Sequence, residues 1–242
     1  MSSNTLTDLS DEALNASVRA KSTAAITLLH EIDDEFQPAA FANSLGAEDM
    51  VLTDLIVREG LHIDIFSLDT GRLPAETYEL MAETEQHYGR QLNVYYPKHN
   101  LLESYVRGNG INAFYESVAL RKECCHVRKV EPLQRALAGK KAWITGLRAQ
   151  QAATRDGLPL RQFDTVNQLE KFNPLSEWSE REVWAYIRAN KVPYNRLHDK
   201  HTPSIGCAPC TRAIASGEDV RAGRWWWELP GSKECGLHVK KA

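Results

Sequence analysis

The sequence predicts an α/β fold built on a doubly wound, mainly parallel sheet. Short apolar segments alternate with helical ones, and polar loops that contain glycine follow several of the apolar segments. Strands of a parallel sheet are buried on both faces and therefore read as continuous apolar runs. The predicted strands are 38–43, 62–68, 91–97 and 141–146.

Helical patterns fill the intervals between these strands. Pro74 suits the first turn of a helix, where its missing N–H is not needed. Ser179 and Glu182 have the spacing of a capping box. One or two further strands are expected within 160–172. The predicted helices are 8–34, 50–59, 74–88, 118–138 and 179–189.

We expect a single domain over the 242 residues, because the chain suffices for one sizeable core and contains no low-complexity linker. Residues 1–36 would form N-terminal helices, and residues 37–228 the α/β core. Beyond Asn195 the sequence is loop-rich and aromatic. Residues 229–242 are expected to form a mobile tail that closes over a bound ligand.

Charge and hydropathy exclude several classes of protein. The 29 basic and 32 acidic residues provide no general attraction to nucleic acid or to an acidic membrane. No stretch approaches the ~20 apolar residues of a membrane span, and the N-terminus lacks the features of a secretory signal. We therefore expect a cytoplasmic protein with reduced thiols. The sequence leaves homo-oligomer formation open.

Three loops that contain glycine directly follow predicted strands, at 44–49, 69–72 and 145–148. Ligands of open parallel sheets bind beyond the carboxyl ends of the strands, so these loops should be neighbours. The first opens a helix, whose free N–H groups favour an anion. Arg72 and Arg148 would add positive charge. Turn formation alone would explain each glycine, but three such loops together favour an anionic ligand.

Four cysteines form two close pairs, Cys124–Cys125 on a predicted helix and Cys207–Cys210 in a loop. Two pairs of thiolates suit zinc or an iron–sulfur cluster. Adjacent ligands on a helix point about 100° apart around its axis, which favours a cluster, where each thiolate meets a different iron. The spacing leaves zinc open. Five flanking side chains could offset the negative charge of a cluster, although most are expected on a solvated helix face: Arg121, Lys122, His126, Arg128 and Lys129.

The fifth cysteine, Cys235, lies close to the last residue of the sequence given. A thiol on an exposed terminal segment has no role in packing, so it is a candidate nucleophile. Lys233 and His238 could favour its thiolate. A tolerated surface cysteine is the alternative.

The chain resembles the assimilatory adenylylsulfate and phosphoadenylylsulfate reductases from about Ala39 to His238. The cysteine pair, the Cys-x-x-Cys and a terminal Glu-Cys-Gly-Leu-His occur together in that family. The matching motifs are SLGAED at 44–49, LDTGR at 68–72, CCHVRKVEPL at 124–133, TGLR at 145–148, NPL followed by Trp178 at 173–178, HTPSIGCAPCTR at 201–212, GEDVRAGRWWWE at 217–228 and KECGLH at 233–238.

The resemblance implies an adenine-nucleotide α-hydrolase-like fold and the reduction of adenylylsulfate in sulfate assimilation and cysteine biosynthesis. Cys235 would attack the sulfonucleotide, giving an S-sulfocysteine and AMP. Thioredoxin, or a glutaredoxin-like reductant, would then release sulfite. Cys124, Cys125, Cys207 and Cys210 match the ligands of a [4Fe–4S] cluster. The implied substrate-binding residues are Ser44, Gly46, Asp69, Arg72, Lys129, Arg148, Arg221 and Arg224.

Alternatives remain open at the level of sequence. A phosphoadenylylsulfate or dual-specificity reductase would share these motifs, although members with all four ligand cysteines mostly use adenylylsulfate. An ATP-pyrophosphatase-type tRNA-thiolating enzyme is disfavoured because Leu45 and Met50 depart from its loop motif. A zinc-stabilised binding module would leave Cys235 without a role. His198 could contact cluster or substrate, but ordinary loop hydrogen bonding is the favoured interpretation.

Overall fold

The computed structural model of the chain describes residues 11–151 and 157–229. Within them lies a six-stranded sheet. Its strands are β1 (Ala39–Ala42), β2 (Asp64–Leu68), β3 (Asn93–Tyr95), β4 (Ala142–Ile144), β5 (Arg161–Asp164) and β6 (Leu169–Phe172).

The strand order is β3-β2-β1-β4-β6-β5, and every neighbouring pair is parallel except β5–β6. The chain builds outward from β1 to β3 and then crosses back to place β4 on the other side of β1. This reversal creates a crevice at the carboxyl ends of β1 and β4, where such sheets bind ligands. The predicted α/β class with a mainly parallel sheet is confirmed, and the segment 160–172 supplies two strands.

Seven α-helices occupy the described residues. They are α1 (Asp11–Glu35), α2 (Ala47–Arg58), α3 (Ala75–Tyr88), α4 (His99–Asn109), α5 (Val118–Cys125), α6 (Glu131–Leu137) and α7 (Glu180–Asn190). Short 3₁₀ turns lie at Ala113–Tyr115, Ala149–Gln151, Arg196–Lys200 and Ala208–Cys210.

Several boundaries differ from the predictions, and two of the differences have clear physical reasons. Helix α2 begins at Ala47 rather than Met50, because Glu48 and Asp49 are helical first-turn residues whose charge suits the positive end of the helix dipole. Strand β3 spans only Asn93–Tyr95 of the predicted 91–97, since it pairs with β2 alone at the edge of the sheet. The capping box of Ser179 and Glu182 is present as predicted.

Helices α5 and α6 are joined by a π-helical turn at His126–Val130, so the predicted helix 118–138 is continuous but locally widened. Pro132, near the start of α6, has no N–H to donate to the preceding turn. Insertions of this kind are frequent at functional sites. This one follows directly after Cys125.

Most of the apolar core lies between the sheet and helices α1, α2 and α7. A separate, smaller core contains Cys124, Cys125, Cys207 and Cys210 with Tyr105, Phe114, Val127 and Trp225. No helix in the described ranges is both long enough and apolar enough to cross a bilayer. Residues 230–242 of the predicted tail, including Cys235, lie outside the described residues.

A buried carboxylate links the helices behind the main core. Asp54 of α2 accepts hydrogen bonds from Tyr186 Oη of α7 at 2.7 Å and from Tyr88 Oη of α3 at 3.0 Å. Arg58 Nε donates to it from one turn further along α2, also at 3.0 Å. The network holds three helices in a fixed relation to the loop that precedes α2.

Replacing Tyr186 with Phe should lower the free energy of unfolding by about 1–3 kcal/mol, because it removes a donor from a fully buried carboxylate. Urea unfolding followed by circular dichroism measures the change. Tyr96→Phe is the matched control, since Tyr96 is 57% exposed. Equal stability of the two variants would contradict a structural role for the network.

Candidate active site

A cavity of about 320 Å³ opens at the carboxyl ends of β1, β2 and β4. The loops after all three strands contribute to its wall, as predicted for ligand binding at the crevice. Six of the predicted substrate-binding residues line it: Ser44, Gly46, Lys129, Arg148, Arg221 and Arg224. Asp69 and Arg72 are not among the lining residues.

The loop between β1 and α2 is closed on itself by Asp49. The Ser44 backbone N–H and hydroxyl both donate to Asp49 Oδ2, at 2.7 and 2.6 Å. A Cβ on Gly146 would overlap the other oxygen of this carboxylate, so glycine is required there. Burial raises the pKa of Asp49 to about 6, although the Ser44 hydrogen bonds oppose the rise. The loop's own carboxylate therefore engages donors that would otherwise be available to a phosphate.

Arg148 is held in an ion pair with Glu48. Its Nε donates to Glu48 Oε1 at 2.8 Å, and Nη1 donates to the Trp178 carbonyl at 3.3 Å. Both side chains are largely buried. The charge of Arg148 is thus balanced within the protein, and this part of the cavity presents an ion pair rather than an isolated cation.

Asp69 and Arg72 organise the loop after β2. Asp69 Oδ1 accepts from the Gly71 N–H at 2.7 Å and from Tyr78 Oη at 2.9 Å. Arg72 Nη2 donates to Asn112, and its guanidinium lies 5.1 Å from the Phe114 ring centroid. These contacts direct Arg72 toward the small core that holds the cysteines.

The two cysteine pairs come together in that core, and all four side chains are buried thiols. Thr70, which follows β2, joins the two cysteine pairs. Its hydroxyl accepts a hydrogen bond from Cys207 Sγ at 3.2 Å. The Thr70 carbonyl accepts from Arg128 Nη1 at 2.5 Å, and Arg128 lies on the helix of Cys124. The predicted association of the two pairs through folding is confirmed.

The thiols differ in their electrostatic surroundings. Burial raises the pKa of Cys210 to about 12 and also raises the pKa of Cys124, the latter against the effect of Arg128. Burial acts on Cys207 in the same direction, but Lys129, the Thr70 hydroxyl and two arginines outweigh it and lower its pKa. Lys129 therefore lies close enough to act on the thiols while also lining the cavity.

Arg121 and Arg128 are buried, at 0% and 6% exposure, so the expectation of a solvated helix face is wrong for both. Arg121 donates twice to Glu228 at 2.8 Å, and its guanidinium lies 4.7 Å from the Trp225 ring. Lys122 and His126 are exposed as expected. The pattern of residues around the helix could not reveal this, because the covering segment lies more than 100 positions later in the chain.

Several buried N–H groups around the thiols have no hydrogen-bond partner within the described residues. They are Arg72 Nη1, Arg128 Nε, Trp225 Nε1 and Trp227 Nε1. Each is a donor, and leaving a donor buried and unpaired is costly. Four thiols surrounded by unpaired donors fit an anionic group with several acceptor atoms.

In the described part of the chain, no group of three or more Cys, His, Asp or Glu side chains is arranged to hold one metal ion. Four sulfurs are a donor set that suits either tetrahedral zinc or an iron–sulfur cluster.

The segment 205–225 connects the thiols to the cavity. Arg224 Nε donates to the Cys210 carbonyl at 3.3 Å and Nη1 to the Ile205 carbonyl at 3.1 Å. A Cβ on Gly206 would overlap the Arg224 guanidinium, so the chain passes this side chain only because position 206 is glycine. Arg221 and Trp225 also line the cavity.

Sequence reasoning missed two residues that shape the site and misjudged a third. Glu48 is the partner of Arg148, and Thr70 links the cysteine pairs. His198 lines the cavity with its Nε2 buried and without a partner in the described ranges, so the favoured expectation of ordinary loop hydrogen bonding is wrong for that atom. A helix-start signal could have suggested Glu48, but no sequence signal pointed to the role of Thr70.

Comparisons with known proteins identify the family to which the chain is similar. The family model for the phosphoadenosine phosphosulfate reductase domain matches residues 38–213. The chain is 60% identical over 221 residues to the adenosine 5′-phosphosulfate reductase of Allochromatium vinosum, covering 91% of this chain and 86% of that protein. It is 50% identical over 227 residues to the enzyme of the same name from Burkholderia cepacia, covering 94% and 91%.

Solved structures with a similar fold include a reductase of this family and a nucleotide transferase. The phosphoadenylyl-sulfate reductase of Candida auris in its phosphate complex matches with a TM-score of 0.67 and 27% identity, over 86% of this chain and 98% of that one. The FMN adenylyltransferase of Candida glabrata with FAD and pyrophosphate matches with a TM-score of 0.59 over 98% and 81%. At 15% identity, the second match indicates a shared fold only.

The raised pKa of Asp49 predicts a pH dependence of stability. Between about pH 4 and 6 the folded chain holds this proton while the unfolded chain releases it, so the contribution of Asp49 to stability falls as pH rises. Asp49→Asn should remove that fall, and its stability relative to wild type should rise by up to about 3 kcal/mol across this window.

Urea unfolding at pH steps between 4 and 7 measures this difference. Asp34→Asn is the control, because Asp34 is exposed. If the difference in stability between wild type and the Asp49→Asn variant does not change with pH, the raised pKa is contradicted.

Proposed function

Because the chain belongs to the phosphoadenosine phosphosulfate reductase family, we propose that it reduces adenylylsulfate to sulfite and AMP in sulfate assimilation. The observation that carries this proposal is a thiol cluster that adjoins a nucleotide-sized cavity through Lys129 and Arg224. The curated relatives at 50–60% identity are named adenosine 5′-phosphosulfate reductases, which supports adenylylsulfate as the substrate.

The charges of the cavity are unevenly distributed. Lys129 and Arg224 line it on the side of the thiols. Glu48 and Asp49 line it at the start of α2, and Glu180 is a further acidic lining residue. An anion is stabilised beside the first group, whereas beside the second it meets the Glu48–Arg148 ion pair and further carboxylates. We therefore assign the phosphosulfate to the side of the thiols and the uncharged nucleoside to the acidic side.

This polarity bears on the alternative substrate. The 3′-phosphate of phosphoadenylylsulfate would belong to the nucleoside end, where acidic side chains prevail. Its charge would be unfavourable there, so the polarity supports a preference for adenylylsulfate. The closed Ser44–Asp49 loop likewise gives no support to ATP-pyrophosphatase chemistry, because Asp49 engages the Ser44 donors.

We propose that Cys124, Cys125, Cys207 and Cys210 hold a [4Fe–4S] cluster. When bound, it would cross-link the helix and the loop that carry its ligands and shape the field near Lys129. Arg121, Arg128 and Arg224 offset the negative charge of the thiolates. The unpaired donors of Arg72, Arg128 and the tryptophans support an acceptor-rich group at this place.

The proposed nucleophile is Cys235. Trp225 lines the cavity, and the ten residues from Trp226 to Cys235 can span at most about 33–36 Å, which is ample for the thiol to reach the substrate. The thiolate attacks the sulfur of adenylylsulfate, an S–S bond forms, and the bond from sulfur to the phosphate oxygen breaks with release of AMP. Lys129, Arg221 and Arg224 would neutralise the phosphosulfate as charge shifts to the leaving phosphate.

The second half of the reaction needs two electrons from an external dithiol. One thiolate of thioredoxin, or of a glutaredoxin-like protein, attacks the Cys235 sulfur and displaces sulfite. The second thiol of the same partner then closes a disulfide and returns Cys235 to its reduced form. We propose that these reactions occur in the cytoplasm, where such reductants are maintained.

Incubating the protein with ³⁵S-labelled adenylylsulfate, without any reductant, should label Cys235 and release one equivalent of AMP. Peptide mass spectrometry locates the adduct, and added thioredoxin should discharge it as sulfite. Cys235→Ser should form no adduct. Label on another cysteine, or turnover by that variant, would contradict the proposed nucleophile.

Protein purified without oxygen should be brown and contain about four iron atoms per chain. Cys207→Ser should lose iron because it removes a ligand, whereas Cys235→Ser should retain the full complement. Metal analysis and visible absorption report both results independently of activity. Colourless wild-type protein that contains zinc would contradict the cluster.

A further inference from the structure

His198 lies on the wall of the cavity and is not used by the proposed chemistry. Its Nε2 is buried and has no hydrogen-bond partner within the described residues. A buried polar atom without a partner carries a cost of about 1–3 kcal/mol, which a ligand group can remove. An unpaired ring nitrogen in a ligand cavity therefore points to a contact made only in the complex.

The imidazole is held in place from several directions. The Trp184 ring of α7 packs edge-on against it, with centroids 5.1 Å apart. The His198 backbone N–H donates to the Asn195 carbonyl at 3.0 Å, and the Asn195 side chain donates to Thr77 of α3 at 3.0 Å. The ring is therefore preorganised, so that a hydrogen bond from Nε2 would cost little side-chain entropy.

The charged neighbours of the ring are acidic. Glu48 and Asp199 both act on it electrostatically, and burial nevertheless lowers its pKa, which favours the neutral ring. Glu48 has only its Oε1 engaged by Arg148; its Oε2 accepts no hydrogen bond from the residues that the structure describes. A neutral imidazole next to a carboxylate suits a hydroxyl group and not a phosphate.

We propose that His198 is a substrate-binding residue whose Nε2 hydrogen-bonds a ribose hydroxyl of the nucleotide, beside Glu48. Acidic side chains are the usual partners of ribose hydroxyls in other nucleotide-binding sheets. The assignment rests on the proposed binding of adenylylsulfate in this cavity. It adds a residue that positions the nucleoside end while Lys129 and Arg224 bind the charged end.

The test measures the binding of AMP to the full-length, anaerobically purified protein by calorimetry. AMP is the product, so no reaction accompanies its binding. His198→Ala should weaken AMP binding about three- to tenfold, the effect of one hydrogen bond. His198→Gln, which offers an amide near the position of Nε2, should recover part of the loss. The matched control is His201→Asn, because His201 is exposed in the same segment and its left-handed backbone tolerates Asn.

Ligand analogues locate the contact. For one of the two analogues, 2′-deoxy-AMP or 3′-deoxy-AMP, wild type and His198→Ala should have affinities within about twofold of each other. That analogue lacks the hydroxyl that His198 contacts, so the substitution has nothing more to remove. Against IMP, the difference seen with AMP should remain. Loss of the difference with IMP alone would overturn the assignment to ribose and indicate a contact with the base.

Two other results would also overturn the proposal. Equal weakening for AMP and for both deoxy analogues would indicate that His198 only supports the fold. Unchanged AMP binding in His198→Ala would indicate that water satisfies Nε2. Failure of the proposed function is distinguishable from these results, because wild-type protein would then form no labelled adduct with ³⁵S-adenylylsulfate.

Discussion

Positive charge buried around four thiols is the constraint on which the functional half of this molecule depends. Arg121 and Arg128 lie on the helix that carries Cys124 and Cys125, and both are removed from water. A buried guanidinium is tolerated only with a counter-charge and satisfied donors. Arg121 obtains both from Glu228, whereas the Nε of Arg128 has no partner in the described ranges.

This constraint explains the path of the chain after α7. The segment 201–229 has little regular structure and contributes few residues to the main core. It is held through Thr70, Arg72 and Arg121, which contact Cys207, Ala208 and Glu228. Polar contacts near the thiols therefore join this segment to a small core whose other members, Tyr105, Phe114, Val127 and Trp225, are mainly apolar.

The charged side chains around the thiols also make the charge of the cavity uneven. Lys129 and Arg224 act on the Cys207 thiol and also line one side of the cavity, so under the proposed function one set of side chains would serve both the cysteine centre and an anionic ligand. The other side is formed by the first turn of α2, where Glu48 and Asp49 are favoured by the helix dipole. Asp49 simultaneously closes the Ser44 loop. The same carboxylate thus shapes the Ser44 loop and contributes to the acidic side of the cavity.

Local sequence patterns predict most of the architecture. Continuous apolar runs identified the strands, because burial on both faces removes alternation. The capping box located α7, and adjacent cysteines followed by a Cys-x-x-Cys indicated a shared thiol site. The strand-end rule placed three loops at one edge of the sheet, and the structure brings them to one cavity.

Partnership between distant side chains was decided only by the tertiary structure. The sequence predicts that Arg148 is a cation available to an anion, but it is paired with Glu48, which is 100 positions away. Arg72 was expected at the substrate but turns to Phe114, and Arg121 was expected in solvent but is buried against Glu228. Residue type and spacing determine what a side chain can bind, whereas its actual partner depends on which segments share a low-dielectric interior, and that is a property of the folded chain alone.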